Sequence, residues 1–395
     1  MKELIPDRLV PLVQRLRWIG YLLIYSVVCR VKPVKPNRVV FVSRHGDHLG
    51  ENLRWIRQAL PETDYSIMEF FPASDQSRGK RIIDRVRLVV AVAQAQYILL
   101  DDFSHLLHAI KLRLGVRLVQ VWHGMGAMKK MGFSRVGQGF GAPARTSLTH
   151  RNYTDVIVSS EAMRPHFAEG FGIPLEKIHA TGVPRSDFFF DGDAQDLARD
   201  RLFAQFPQLR DHRIILFAPT YRTGVNNRVG YPLEFLDLDR IGQTLGEGDL
   251  FIIKNHPLVA ESWEIPPQYA DKILDLSSFE EFNHLLLVSD LLITDYSSAI
   301  FDNALLKNPV VFYTPDFEVY DGARGFYYPF DQYVYGPVVH DLDSLVALIP
   351  GVDIDEPRWS EFCELFLNSC DGRATQRFIE TVFSPSVSQR EGEGS

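Results

Sequence analysis

From residue 38 the chain alternates short apolar runs, rich in β-branched and aromatic residues, with longer stretches of helical spacing. Runs at 39–43, 97–100, 117–122 and 155–159 make one series, and runs at 214–218, 250–254, 291–294 and 310–313 make a second. Continuous apolar runs of this length, separated by helical stretches, predict parallel strands covered by helices on both faces, and so two α/β sheets. Between the series, Thr181-Gly182-Val183-Pro184-Arg185-Ser186-Asp187 is rich in turn residues and leads into a polar helical segment at 194–206. A domain junction near residue 190 is expected there. No fixed-period repeat is evident, and the end, 384–395, reads as a disordered tail.

The first forty residues differ. An apolar run from Trp18 to Cys29 lies between Arg15 and Arg17 on one side and Arg30, Lys32 and Lys35 on the other, and Pro33 and Pro36 end it. It falls short of the roughly 20 apolar residues of a spanning helix, and no small-residue cleavage site follows it. Leu9, Leu12, Val13 and Leu16 extend it backwards as one apolar stripe. The stripe suits a helix packed on the protein's own core or one lying in a headgroup layer; the flanking cations favour an anionic membrane surface.

Composition narrows the class. With 46% hydrophobic and 23% charged residues in 395, the chain has material for a large core, which excludes a disordered or fibrous protein. The net charge of -8 argues against a dedicated nucleic-acid binder. Cys29, Cys363 and Cys370, with no CxxC, argue against a disulfide framework or structural zinc and for a reducing, cytoplasmic compartment.

In open α/β sheets ligands bind beyond the carboxyl ends of the strands, so polar residues directly after each apolar run are the candidates. After Trp122 come His123, Gly124 and, a little later, Lys129 and Lys130: a group that titrates near neutrality, a glycine that admits close approach, and cations for an anion. Taken singly, each has a structural reading as good. In the second series Thr220 and Arg222 follow one strand, and Lys254 and His256 the next. Asp295, Ser297 and Ser298 follow the third and open a helix carrying Asp302. Free N–H groups and hydroxyls at a helix start make either a phosphate site or an ordinary cap; with cations along the same edge the phosphate site is preferred. Four Asp-x-Asp pairs, at 191/193, 237/239, 341/343 and 353/355, are background in an acidic chain, and Asp101-Asp102 reads equally as solvated carboxylates. No GxxxxGK[ST], GxSxG or strand-following GxGxxG is present, which removes the usual ATPase, hydrolase and dehydrogenase readings.

Taken in order, Trp122-His123-Gly124 with Lys129-Lys130-Met131-Gly132, Thr181 to Asp187, Pro219-Thr220-Tyr221-Arg222, His256-Pro257, the block Asp290 to Asp302, Tyr320, Arg324 to Tyr327, Gly336-Pro337, and Asp371 to Ala374 with Arg377 resemble the CDP-glycerol glycerophosphotransferases. These are the primases and polymerases of teichoic acids and related capsule polymers. The resemblance covers roughly residues 38 to 380. It implies a GT-B architecture of two Rossmann-like domains facing across a cleft. The expected division is an amphipathic membrane-associating segment at 1–36, an acceptor-side domain at 37–190, a nucleotide domain binding the CDP-polyol at 191–383, and the tail. The chain is expected to carry this catalytic module without an extra N-terminal domain. The implied reaction is attack by an acceptor hydroxyl on the phosphorus bearing glycerol in CDP-glycerol, with release of CMP. The resemblance makes His123 and His256 the essential histidines, with His123 as the base. Thr220, Arg222, Lys254, Asp295, Ser297 and Ser298 would serve the donor diphosphate, and Gly124, Lys129 and Lys130 the acceptor side. Asp302 would bind a polar group of the nucleotide or orient a neighbour. No tightly bound cofactor or metal is expected, any magnesium acting through the substrate diphosphate. The expected partners are CDP-glycerol, a lipid-linked or polymeric acceptor and the cytoplasmic face of the membrane, with no nucleic acid. A CDP-ribitol or other polyol-phosphate transferase, a GT-B nucleotide-sugar glycosyltransferase and a non-catalytic scaffold are the competing readings.

Overall fold

The computed structural model describes residues 10–44, 46–72, 78–137, 144, 147, 149–223 and 229–383, the side chains of 10–17, 78–81, 223 and 324 excepted. Leu9 and the tail at 384–395 lie outside the described residues, as do the side chains of Leu12, Val13 and Leu16. Two compact units are present. One holds the chain up to Gly124, Met131–Arg185 and the chain from Arg373; the other holds Met125–Lys130 and Ser186–Gly372.

The first unit is built on a six-stranded parallel sheet. Its strands are β1 (Lys35–Val42), β2 (Ser66–Phe70), β3 (Ala95–Leu100), β4 (Arg117–Gln120), β5 (Asp155–Ile157) and β6 (Ile178–His179), in the order β2-β1-β3-β4-β5-β6. The second unit has β7 (Arg213–Phe217), β10 (Asp249–Ile253), β11 (Ile273–Asp275), β12 (Leu291–Thr294), β13 (Val310–Tyr313) and β14 (Val338–Val339), in the order β11-β10-β7-β12-β13-β14; a short hairpin, β8 (Arg222–Thr223) with β9 (Val229–Gly230), projects after β7. The central strands are apolar on both faces, as parallel strands between helical layers must be: Val39, Val40 and Phe41 are fully buried, as are Ile215, Leu216, Ile252 and Ile293. The four edge strands β2, β6, β11 and β14 escaped the sequence pattern because they are short or half exposed, and two-residue strands carry no readable period.

Two sequence expectations are corrected. The run at 117–122 ends as a strand at Gln120; Val121 still donates its N–H to the Leu100 carbonyl, but Trp122 turns into the left-handed region, with φ 56°. Helix Ala374–Phe383, expected in the second domain, belongs to the first unit. Phe378, Val382 and Phe383 complete the core made by Val39, Phe41, Val119 and Ile157, and the Phe383 ring lies 4.4 Å from that of Tyr97. Burying those rings stabilises the return of the chain by about 1.5–3 kcal/mol each. The Asp-x-Asp pairs also find a cause. Asp191, Asp237, Asp341 and Asp355 each cap the N-terminus of a helix, accepting backbone N–H groups of the first turn.

Helix Val10–Val31 buries Tyr21 and Tyr25 and lies against helix Arg78–Val92, while Ile19, Leu23, Val27 and Val31, spaced by four, are 51–66% exposed. One helix thus carries a packed face and an exposed apolar stripe on opposite sides. Among the described residues no helix is long and apolar enough to cross a membrane.

Arg117 secures helix Ala374–Phe383. Its Nη1 donates to the Thr381 and Val382 carbonyls at 2.9 and 2.6 Å, and its Nε to Asp155 Oδ2 at 2.9 Å. Burial would raise the Asp155 carboxyl, but His179 and Arg117 together hold it well below the usual carboxylate range. A depressed carboxyl contributes stability above its unfolded pKa and loses it as pH falls, so this contribution should fade below about pH 4. Arg117→Met is expected to destabilise the first unit by about 2–3 kcal/mol at pH 7 and to flatten its acid-side loss, as read from urea denaturation between pH 3 and 7.

Candidate active site

Each sheet reverses its winding once. In the second, the chain runs from β7 outwards to β10 and β11, then returns to lay β12 on the other flank of β7, so the crevice between β7 and β12 is the topological switch point. There Asp295, 1% exposed, accepts the Thr220 N–H at 2.8 Å and the Tyr296 N–H at 2.6 Å through Oδ1, while its Oδ2 pairs with Arg222 at 2.8 Å. Arg222 also makes a two-pronged bond to Asp316, at 2.7 and 2.9 Å, and donates to the Thr220 carbonyl at 2.7 Å. Its guanidinium lies 4.8–5.5 Å from the ring centres of Tyr231, Tyr296 and Tyr320. Burial alone would lower the Arg222 pKa, but the two carboxylates raise it above its ordinary value; burial pushes Asp295 up against the opposing pull of Arg222.

Arg222, expected at the diphosphate, is therefore engaged by Asp295, Asp316 and the Thr220 carbonyl. Lys254 is likewise turned inwards, with Nζ donating to the Ser277 carbonyl at 2.9 Å and burial pushing its ammonium pKa down. Lys129, expected on the acceptor side, also reaches this crevice. Lys129 and Lys130 belong to the second unit, where Lys129 Nζ donates to Thr220 Oγ1 at 3.2 Å and lies 6.0 Å from the Tyr320 ring centre. The segment Met125–Lys130 is fixed in that unit by the Tyr333 hydroxyl on the Ala127 carbonyl, by a bridge from Lys129 to Phe326, and by Gly126, where a Cβ would fall 2.3 Å from the Phe301 ring.

Ser297 and Ser298 stand at the start of helix Ala299–Leu306, both half-buried; Ser297 Oγ accepts the Ala299 N–H at 3.3 Å and Ser298 is the N-cap residue, with no side-chain capping bond. Asp302 is 2% exposed, inside the unit. His256, beyond β10, has its ring 4.7 Å from that of Tyr221, and its Nδ1 accepts the Leu258 N–H at 3.2 Å. A backbone N–H can only donate, so the neutral ring carries its proton on Nε2.

In the first unit the switch point lies between β1 and β3. Asp101, 1% exposed, accepts the Ser43 hydroxyl at 2.5 Å and the Arg44 N–H at 3.2 Å, and Ser43 Oγ in turn accepts the Gly50 N–H at 3.1 Å. His123 is exposed on the turn after β4, with Gly124 following it, and its ring is stacked 4.5 Å from that of Trp122. The turn is clamped by its carbonyls: Asn52 Nδ2 donates to the Trp122 oxygen at 2.8 Å and Arg185 Nη1 to the His123 oxygen at 2.6 Å, while Asn52 Oδ1 accepts the Arg185 N–H at 3.0 Å. Asn52, Asp101 and Asp316 were missed as site residues. Asn52 stands in a helix with nothing local to mark it, and Asp316 meets a guanidinium 94 residues away.

The sequence profile of the CDP-Glycerol:Poly(glycerophosphate) glycerophosphotransferases matches residues 23–384. The Teichoic acid poly(ribitol-phosphate) polymerase of Bacillus spizizenii is 38% identical over 91% of this chain and 58% of its own length. The Teichoic acid ribitol-phosphate polymerase TarL of Staphylococcus aureus is 34% identical over 88% of this chain and 63% of its own. The chain thus spans about three fifths of the length of these two relatives. Among solved structures, a variant of the Wall Teichoic Acid Polymerase TagF soaked with CDPG superposes with a TM-score of 0.79 at 21% identity, covering 97% of each chain, which establishes a shared fold.

Removing Arg222 would leave Asp295 and Asp316 without their cation. Arg222→Ala is expected to cost about 3–5 kcal/mol in the stability of the second unit, and Arg222→Lys to recover only part, because an ammonium cannot reproduce the forked pairing. Thermal denaturation of the purified variants reads both values.

Proposed function

This chain belongs to the CDP-glycerol:poly(glycerophosphate) glycerophosphotransferase family, and we propose on that premise that it transfers glycerol phosphate from CDP-glycerol to a hydroxyl of a lipid-linked acceptor or growing teichoic acid or capsule polymer, releasing CMP. The observation that carries the reading is the β7/β12 switch point, where Lys129, Thr220 and the serines at the start of helix Ala299–Leu306 gather donors suited to a diphosphate. In the reaction the acceptor oxygen forms a bond to the glycerol-bearing phosphorus, the bond from that phosphorus to the CMP oxygen breaks, and CMP leaves with the electron pair. His123 takes the acceptor proton, being an exposed imidazole on a braced turn. His256 Nε2–H, Lys129, Thr220, Ser297 and Ser298 hold the diphosphate and stabilise the charge on departing CMP. Arg222, Asp295 and Asp316 shape the loop that presents Thr220, and Lys254 and Asp302 are assigned to orienting neighbours. Gly124 lets the acceptor approach the turn.

A second donor reading has its own support: the two relatives above are both ribitol-phosphate polymerases by name. The purified protein, given a synthetic or membrane-derived acceptor with CDP-glycerol or CDP-ribitol, separates the two by CMP release. Acceptor-dependent CMP from CDP-glycerol is the expected result; CMP from CDP-ribitol alone changes the polyol, and a nucleoside diphosphate from a nucleotide sugar overturns the reaction class. His123→Ala should lower turnover by about 10²-fold or more with donor binding kept.

We further infer that the protein works peripherally on an anionic membrane. The exposed stripe of helix Val10–Val31 supports this, together with the fully exposed Leu114 and Arg113, whose guanidinium bonds the Lys32 carbonyl and so holds the Leu114 loop beside the end of that helix. Arg30, Lys32, Lys35 and Lys111 supply cations nearby in the sequence. Replacing Leu23 and Val27 by serine should weaken flotation with phosphatidylglycerol vesicles at least about tenfold without changing thermal stability, because both side chains are already in water; unchanged flotation removes the assignment.

A further inference from the structure

The turn that carries His123 rests on a buried hydrogen-bond chain whose polarity can be followed atom by atom. The Trp122 N–H lies 2.8 Å from Gln120 Oε1, and since it can only donate, the orientation of the Gln120 amide is fixed. Gln120 Nε2 then donates to the Tyr153 hydroxyl at 2.8 Å and the Asp102 carbonyl at 3.2 Å. Tyr153, accepting from the amide, directs its own proton to His150 Nδ1 at 3.0 Å. Gln120 and Tyr153 are fully buried and His150 is 7% exposed. Burial, with repulsion from His108 and His105, pushes the His150 pKa down to about 3, so its imidazole stays neutral and able to accept.

The backbone at both ends of this chain is unusual. Trp122 and His150 are two of the three non-glycine residues with positive φ among the described residues, at 56° and 67°. A bulky residue there is strained by about 1–3 kcal/mol and persists only where its surroundings over-determine it. At Trp122 the surroundings are Gln120 on its N–H, Asn52 on its carbonyl, and the rings of His150 and Phe171 packed edge-on against its indole at 6.0 and 5.2 Å. The His123 imidazole is stacked on the Trp122 indole itself, so the backbone setting of Trp122 sets where His123 stands.

We propose that Gln120, oriented by Tyr153 and His150, is a positioning residue for His123: it holds the Trp122 N–H and thereby the left-handed turn on which the imidazole is mounted. The proposal rests on the reading of His123 as the base. Without the Gln120 oxygen, the Trp122 N–H loses its acceptor, and the turn relaxes towards the extended backbone that a tryptophan prefers. The imidazole moves with it. A displacement of about 1 Å is enough to cost about 10²-fold in rate.

Gln120→Met, Tyr153→Phe and His123→Ala, each as the full chain, are compared by steady-state CMP release and by direct titration with CDP-glycerol. Gln120→Met is expected to lower kcat about 10²-fold with donor KM and affinity within about twofold of the parent. Tyr153→Phe, which removes one of the two acceptors of the Gln120 amide and leaves the Asp102 carbonyl, should lower kcat about tenfold with the same split. If Gln120→Met does not fold, the tyrosine variant decides alone. Turnover within about twofold of the parent in the folded variants, with His123→Ala inactive, overturns the proposal while leaving the base reading intact; so does a parallel fall in kcat and donor affinity, the mark of general loosening. A fully active His123→Ala instead overturns the base reading, and the proposal with it.

Discussion

Asp295 is a carboxylate with almost no access to water, and the candidate donor site is organised around it. Its two oxygens draw together the end of β12, the backbone after β7 and the guanidinium of Arg222. Arg222 in turn fixes Asp316 from the loop after β13, and the three tyrosine rings around it close the cluster. A buried charge of this kind is tolerable only when it is paired, and here the Arg222 ion pair on one oxygen and two backbone N–H groups on the other supply that pairing. Thr220 is presented by this cluster, and Lys129, which donates to the Thr220 hydroxyl, adds a second positive charge beside its two carboxylates.

The same device recurs in the first unit. Asp101 closes the β1/β3 crevice as Asp295 closes that of β7/β12, each accepting a backbone N–H from the loop after the first strand of its sheet. The common cause lies in parallel-sheet geometry. Where the chain leaves two adjacent strands in opposite directions, the peptide groups beyond the last ladder bond have no strand to pair with, and a buried carboxylate is the strongest acceptor available to them. Because both sheet faces are covered, polar chemistry is confined to these edges.

Chain order and compact unit do not coincide. Helix Ala374–Phe383 closes the core of the first unit, and Met125–Lys130, which follows directly after the His123 turn, belongs to the second. The exchange of short segments has a local cause in each case: the rings of Phe378 and Phe383 need a core, and Gly126 leaves room for Phe301 where a side chain would not. A single run of sequence therefore serves both units, with His123 at one end and Lys129 at the other.

The alternation of apolar runs determined the two parallel sheets, since burial on both faces demands unbroken β-branched sequence, and the polar residues after each run marked the edge where chemistry sits. The helical caps at Asp191, Asp237, Asp341 and Asp355 were equally local, although the spacing alone did not distinguish them from other carboxylate pairs. What the tertiary structure decided was which of the edge residues are spent on the protein itself. Arg222 and Lys254 read as cations of the crevice, and their bonds to Asp295, Asp316 and the Ser277 carbonyl were not legible because a sequence window cannot contain partners so far away in the chain. Lys129 follows closely after His123 in the chain, yet its contacts with Tyr320, Phe326 and Thr220 make it part of the second unit. Asn52, Gln120 and Arg185 brace the His123 turn through backbone N–H and C=O groups, and a backbone group leaves no trace in the identity of the residue that supplies it.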